Sequence, residues 1–151
     1  MPVQCDIVTQ ERSVFSGEVD YVSLPGTEGR MGILPNHSPL LTTLAHGEVM
    51  VKQNDEQIFY AVGGGFAEIQ PDKIIILADS AEISDEINIE RAQKARERAE
   101  KFMAEGVPES PEHYAQIRAS LLRAQIRIDV AHRHRHHRTL PTGRDMSEME
   151  A

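Results

Sequence analysis

Tryptophan is absent, cysteine occurs once, and only 5% of the residues are aromatic. The lone Cys5 excludes an internal disulfide and reads as a small, half-buried residue on a first strand. So few Phe and Tyr residues leave no platform of rings on which unpaired bases could stack, so a nucleic-acid partner is not expected. No apolar run approaches the roughly 20 residues that span a bilayer, so direct membrane insertion is not expected either. The stretch Met1–Ile7 lacks a basic segment and an apolar core, so export is not indicated. No Cys, His and carboxylate set has metal-ligand spacing, and no nucleophile stands beside a base, which argues against a metal centre and against catalysis. What is present, 40% hydrophobic and 26% charged residues, is the composition of a globular, cytosolic chain.

Charge is unevenly spread. From Met1 to Ser84 the basic residues are Arg12, Arg30, Lys52 and Lys73, against a dozen acids. From Arg118 to Arg138 there are six arginines against one acid, Asp129. An acidic body thus carries a basic arm, which seeks a polyanion, an acidic protein surface or its own body. A polyanion fits least, because the acidic body would repel it.

The hydrophobic period changes within Ile83–Ala92. Before it, apolar residues recur every second position, in Val3–Ile7, Ser13–Leu24, Glu48–Lys52, Gln57–Val62, Phe66–Ile69 and Lys73–Ala78. Turn chemistry bounds these runs at Asn54-Asp55, Gly63-Gly64-Gly65 and Pro71-Asp72. Many short strands without intervening helices predict an antiparallel β-sandwich over residues 1–84. A domain of about 80 residues has a modest core, so a partner would add to its stability. The three consecutive glycines invite a phosphate-loop reading, but no Lys-Ser/Thr pair and no helix follow them, so a tight turn or bulge is expected. Between Pro25 and Thr42 three glycines spaced by three and two prolines around Asn36-His37-Ser38 predict a defined loop.

After the change of period, Ala92, Ala95, Ala99 and Phe102 recur on one helical face. Ser84 and Asn88 are both competent caps, with Asp85, Glu86 and Glu90 placed to meet the positive end of the helix dipole. Gly106 and Pro108 stop this helix, and Ser110 with Pro111 starts another, whose stripe is Tyr114, Ile117, Leu121, Ala124, Ile128 and Ala131. The pattern predicts an antiparallel two-helix hairpin over residues 85–137, with helices of about 17 and 22 residues, roughly 26 and 33 Å long. A buried leucine contributes about 1.5 to 3 kcal/mol and an alanine far less, so an alanine-rich seam holds loosely and the hairpin should be able to open. His132-Arg133-His134-Arg135-His136-His137-Arg138 reads as a solvated helix end, the alternative being a pH sensor. Residues 138–151, with Pro141, Gly143 and mixed charge, read as a disordered tail. The fold class is therefore α+β with two domains.

Three blocks of residues together resemble the epsilon subunits of F-type ATP synthases. They are Pro25-Gly26-x-Glu28-Gly29-x-x-Gly32-Ile33-Leu34-Pro35-Asn36-His37-x-Pro39-Leu40-Leu41-Thr42, Gly64-Gly65-Phe66-x-Glu68, and Ile76-Leu77-Ala78-Asp79-x-Ala81-Glu82. The resemblance extends from Val3 to about Ala131. It implies a non-catalytic central-stalk subunit whose sandwich docks on the gamma subunit and on the membrane c-ring, and whose helices restrain ATP hydrolysis. Glu28, Arg30, Met31, Asn36, His37 and Ser38 would form the ring and stalk interface, with Arg30 standing where some relatives carry an acid. Arg118, Arg123, Arg127, Arg133 and Arg135 would form an inhibitory arm reaching the alpha and beta catalytic subunits. The implied location is peripheral, at the cytoplasmic face of the inner (plasma) membrane.

In some bacterial members of that family the hairpin binds ATP. No cofactor is required, but ATP is implied as a regulatory ligand of Glu82, Asn88, Arg91, Ala92, Arg98, Arg123 and Arg127. Asn88 stands where the family motif has aspartate, which removes a charge but keeps a cap. A second reading is a nucleotide sensor that binds ATP through the hairpin independently of any complex.

Overall fold

A computed structural model describes residues 2–106 and 110–135, and of Arg135 the backbone alone. Ten strands precede two helices: β1 (Val3–Val8), β2 (Ser13–Val19), β3 (Tyr21–Gly26), β4 (Gly29–Ile33), β5 (Leu40–Thr43), β6 (Gly47–Gln53), β7 (Glu56–Val62), β8 (Gly65–Ile69), β9 (Lys73–Ala78), β10 (Ala81–Ile83), α1 (Ile89–Glu105) and α2 (Pro111–Arg135). The strands form two five-stranded sheets, in the orders β2-β1-β9-β8-β5 and β10-β7-β6-β3-β4. Alternation decides what lies between them. Val3, Cys5 and Ile7 from β1, Ile74 and Ile76 from β9, and Val49 and Val51 from β6 all point into one buried core. Each valine and isoleucine among them contributes about 1.5 to 3 kcal/mol. Cys5 is fully buried rather than half-buried, and burial pushes its thiol up to about 12, so it is inert filling.

The two-domain α+β architecture matches expectation, with differences in detail. First, the run Ser13–Leu24 breaks at Asp20 into β2 and β3, which join different sheets. Second, β1 and β9 run parallel, Cys5 beside Ile74 and Ile7 beside Ile76, so the first sheet is mixed. The whole chain between them serves as the crossover that a parallel pair needs. Third, the segment expected to be a loop between Pro25 and Thr42 holds two strands, β4 and β5. Gly26 and Gly29 close a hairpin in which β4 pairs with β3, and an added Cβ on Gly26 would lie 2.7 Å from the Gly29 carbonyl. Fourth, α2 has 25 residues rather than about 22.

Asn88, not Ser84, caps α1: its Oδ1 accepts from the Arg91 amide at 3.0 Å. Ser84 opens a short 3-10 turn, Ser84–Glu86, that carries the chain from β10 towards the helix. Ser110 caps α2, its Oγ accepting from the His113 amide at 3.1 Å, with Pro111 in the first helical position. The seam between the helices is tight near the sandwich, where Ala92, Ala99, Ala124, Ile128 and Ala131 are buried. Towards the tip it opens, leaving Phe102 and Tyr114 exposed. The 138–151 tail, the end of the 85–137 hairpin, and His136, His137 and Arg138 lie outside the described residues.

Candidate functional site

The residues expected at a ring and stalk interface are divided by β4. Glu28 is exposed in the turn before the strand, while Asn36, His37 and Ser38 follow its other end. The second group is held rigidly. Asn36 takes a left-handed φ of 64°, its amide donates to the Pro71 carbonyl at 2.9 Å, and His37 Nδ1 meets the Ser38 carbonyl at 2.7 Å. Met31 faces inward and packs on the core, so it is a core residue more than a surface contact. Arg30 points to the outer face of the second sheet, 3.6 Å from Glu48.

α2 lies on that outer face. Val130 and Ala131 bury against Ala61 of β7 and Ile87, with Phe59, Ile89 and Ile126 around them. Arg127 Nε pairs with Glu82 Oε2 at 2.9 Å, and Arg133 Nη1 lies 3.4 Å from Glu48 Oε1. The acidic surface that the basic arm meets here is its own body. Arg118 is exposed, and the side chain of Arg135 lies outside the described residues. His134 is not part of a solvated end: its ring stacks on Phe59, centroids 3.5 Å apart and planes 6° from parallel, and its Nε2 bonds Glu48.

Of the residues implied for ATP, the structure brings three together. Glu82, Arg123 and Arg127 line a cleft of about 510 Å³ with Arg12, Asp79 and Ser80. Arg123 Nε is buried, with no hydrogen-bond partner among the described residues. Arg98 lies on a different recess with Lys94, Glu97 and Lys101, and its Nε donates to the Lys94 carbonyl. Arg91 is exposed, Ala92 is buried in the helical seam, and the Asn88 side chain is engaged as a cap. Beside the cleft, burial and the Arg123 charge push the His46 pKa down, with Asp79 opposing.

Profiles of the ATP synthase delta/epsilon chain match the whole of this architecture: the beta-sandwich domain over residues 2–84 and the long alpha-helix domain over residues 85–132. The chain belongs to the ATP synthase delta/epsilon family. An ATP synthase epsilon chain of Dehalococcoides mccartyi is 50% identical over 136 residues, covering 89% of this chain and 96% of the relative. One from Herpetosiphon aurantiacus is 49% identical over 131 residues, covering 87% and 95%. A chain in the cryo-EM structure of Euglena gracilis mitochondrial ATP synthase shares the fold at TM-score 0.68 and 23% identity, over 82% of this chain and 78% of that one. A chain in the Tetrahymena thermophila mitochondrial central stalk and c-ring does so at TM-score 0.58 and 11% identity, over 87% and 97%.

Three features escaped the sequence reading. The partners of the arm, Glu48 and Phe59, come from strands β6 and β7, which no sequence signal joined to it. Arg12, at the β1–β2 turn, reaches the cleft only because β1 pairs with β9. The third is an exposed apolar face on the first sheet, formed by Leu41, Phe66 and Leu77. Its signal was present: Ile74-Ile75-Ile76-Leu77 is apolar on both faces, as in a strand covered on both sides.

Proposed function

We propose that the chain is a non-catalytic central-stalk subunit of a proton-translocating F-type ATP synthase, in which the sandwich docks and the helices regulate. The observation that carries this reading is the contrast between the two outer faces of the sandwich. The face of the second sheet is covered by the chain's own α2. That of the first sheet exposes Leu41, Phe66 and Leu77, with Leu41 68% accessible. A cluster of large apolar side chains on a sheet face marks a protein interface. In a family named for a rotary enzyme, with fold neighbours in stalk and c-ring assemblies, the gamma subunit is the partner that fits. Glu28 and the rigid Asn36-His37-Ser38 loop then face the c-ring, and residues 85–137 act on the alpha and beta subunits. Among the described residues no helix is long and apolar enough to cross a membrane, and the proposed location is peripheral, at the cytoplasmic face. Co-expression with the gamma subunit tests the docking: Leu41→Glu with Phe66→Glu should abolish the complex, and its undiminished recovery would refute the assignment.

A regulatory ATP site is favoured by one observation, the gathering of Arg12, Arg123 and Arg127 around one cleft. These arginines would hold the phosphates, and Ser80 and Glu82 offer polar contacts at the rim. Arg91 and Arg98 take no part in this arrangement. Calorimetric titration of the full chain with MgATP tests it: heat that disappears in Arg123→Gln supports the site, and no heat up to millimolar nucleotide rejects it.

A further inference from the structure

Register pairing places three residues in one row across the outer face of the second sheet. Glu82 of β10 and Glu48 of β6 are both partners of Ala61 on β7. Two strand spacings separate the acids, about 9.6 Å. On α2, Arg127 and His134 are seven residues apart, about 10.5 Å along the axis and on one face. The two periods match. Arg127 meets Glu82, Val130 and Ala131 cover Ala61, and His134 meets Glu48. A slip of one helical turn, about 5.4 Å, would carry each helix residue away from its acid.

The two ends are unequal. The Glu82–Arg127 pair is partly solvated, whereas the Glu48 and His134 side chains are 12% and 10% exposed. Glu48 also receives Arg133 on the oxygen that takes His134, and Arg30 of β4 on the other. Glu56 and Asp85 line the recess beside the imidazole. When α2 lifts away Glu48 loses two of its three partners, His134 and Arg133, while Arg30 stays on β4, so more contacts break at this end than at the single Glu82–Arg127 pair. We propose that Glu48, His134 and Phe59 form the latch that holds α2 on the sandwich in a single register and sets how often the arm is released. The latch rests on the reading that the helices leave the sandwich to act.

Amide hydrogen exchange of the full chain tests it, by comparing α2 between Ala124 and Arg133 with β1 and β9. Glu48→Gln and His134→Ala should each raise exchange in α2 about 10-fold and leave β1 and β9 unchanged. The double variant should raise exchange by clearly less than the product of the two single effects, because both singles remove the shared His134–Glu48 contact. His134→Gln, which can still donate to Glu48 but cannot stack on Phe59, should fall between. Exchange in α2 within twofold of the parent would overturn the latch, as would an equal rise in β1 and β9 or fully additive effects. Because exchange is measured on the isolated chain, failure of the latch and failure of the assembly reading are separate results.

Discussion

Glu82 Oε2 and Arg127 Nε lie 2.9 Å apart and tie the last strand of the sandwich to the middle of the second helix. Their side chains are 26% and 35% exposed, so solvent screens the pair and its contribution is modest, about 0.5 to 1 kcal/mol. Arg127→Met, which keeps the apolar stem, should lower stability by about that amount in urea unfolding. A double-mutant cycle with Glu82→Gln should recover most of it as coupling. A coupling near zero would mean that the apolar contacts of Val130 and Ala131 alone hold this part of the helix.

Asn88 starts α1 by accepting from the Arg91 amide. Asn88→Ala should cost about 1 kcal/mol and fray the first turn, measured by amide exchange at Arg91 and Ala92. Asn88→Asp should be neutral or stabilising by about 0.3 to 1 kcal/mol, because a negative cap meets the helix dipole. That the cap is already engaged in the structure also bears on nucleotide binding: restoring aspartate should improve helix stability more than affinity for MgATP.

His46 carries a pH dependence with a definite sign. Burial and Arg123 lower its pKa in the folded chain below the usual value near 6.5, with Asp79 opposing. Between the lowered value and about 6.5 the unfolded chain binds more protons, so stability rises with pH in that window. The contribution is complete above about 6.5 and is lost as the pH falls towards the folded value. Thermal melts from pH 7.5 to 5 should therefore fall more steeply in the parent than in His46→Gln; parallel curves would contradict the assignment.

Gly65 follows the Gly63-Gly64 turn with φ of 103°, and a Cβ there would stand 2.0 Å from the Leu77 carbonyl oxygen. Gly65→Ala should cost about 3 kcal/mol or more, since backbone strain and a clash with a paired strand add. A melting temperature within a degree of the parent would show that β8 can shift to accept it.

Much of the fold could be read from period alone. Val3-Cys5-Ile7 and Val49-Val51 alternate because one face is buried, and the switch at Ile87–Ala92 follows from the Asn88 cap. β4 and β5 were hidden because Gly29, Gly32 and the prolines near Asn36 look like loop chemistry; pairing with β3 and β8 overrides that propensity. The site was legible in its residue types but not in its partners. Arg123, Arg127 and Arg133 stand out in sequence, yet Glu48 and His134 are 86 positions apart, and only the packing of α2 across β6 and β7 joins them. Arg98 shows the converse: it fits the nucleotide motif in sequence, while helical geometry turns it to another recess.

The central claim is that the sandwich couples and the helices restrain. It is tested most directly by ATP hydrolysis in the assembled enzyme after the chain is ended at about Ser84. The account predicts that the truncated chain still assembles and supports proton-coupled synthesis while hydrolysis rises severalfold. Unchanged hydrolysis in a correctly assembled complex would contradict it.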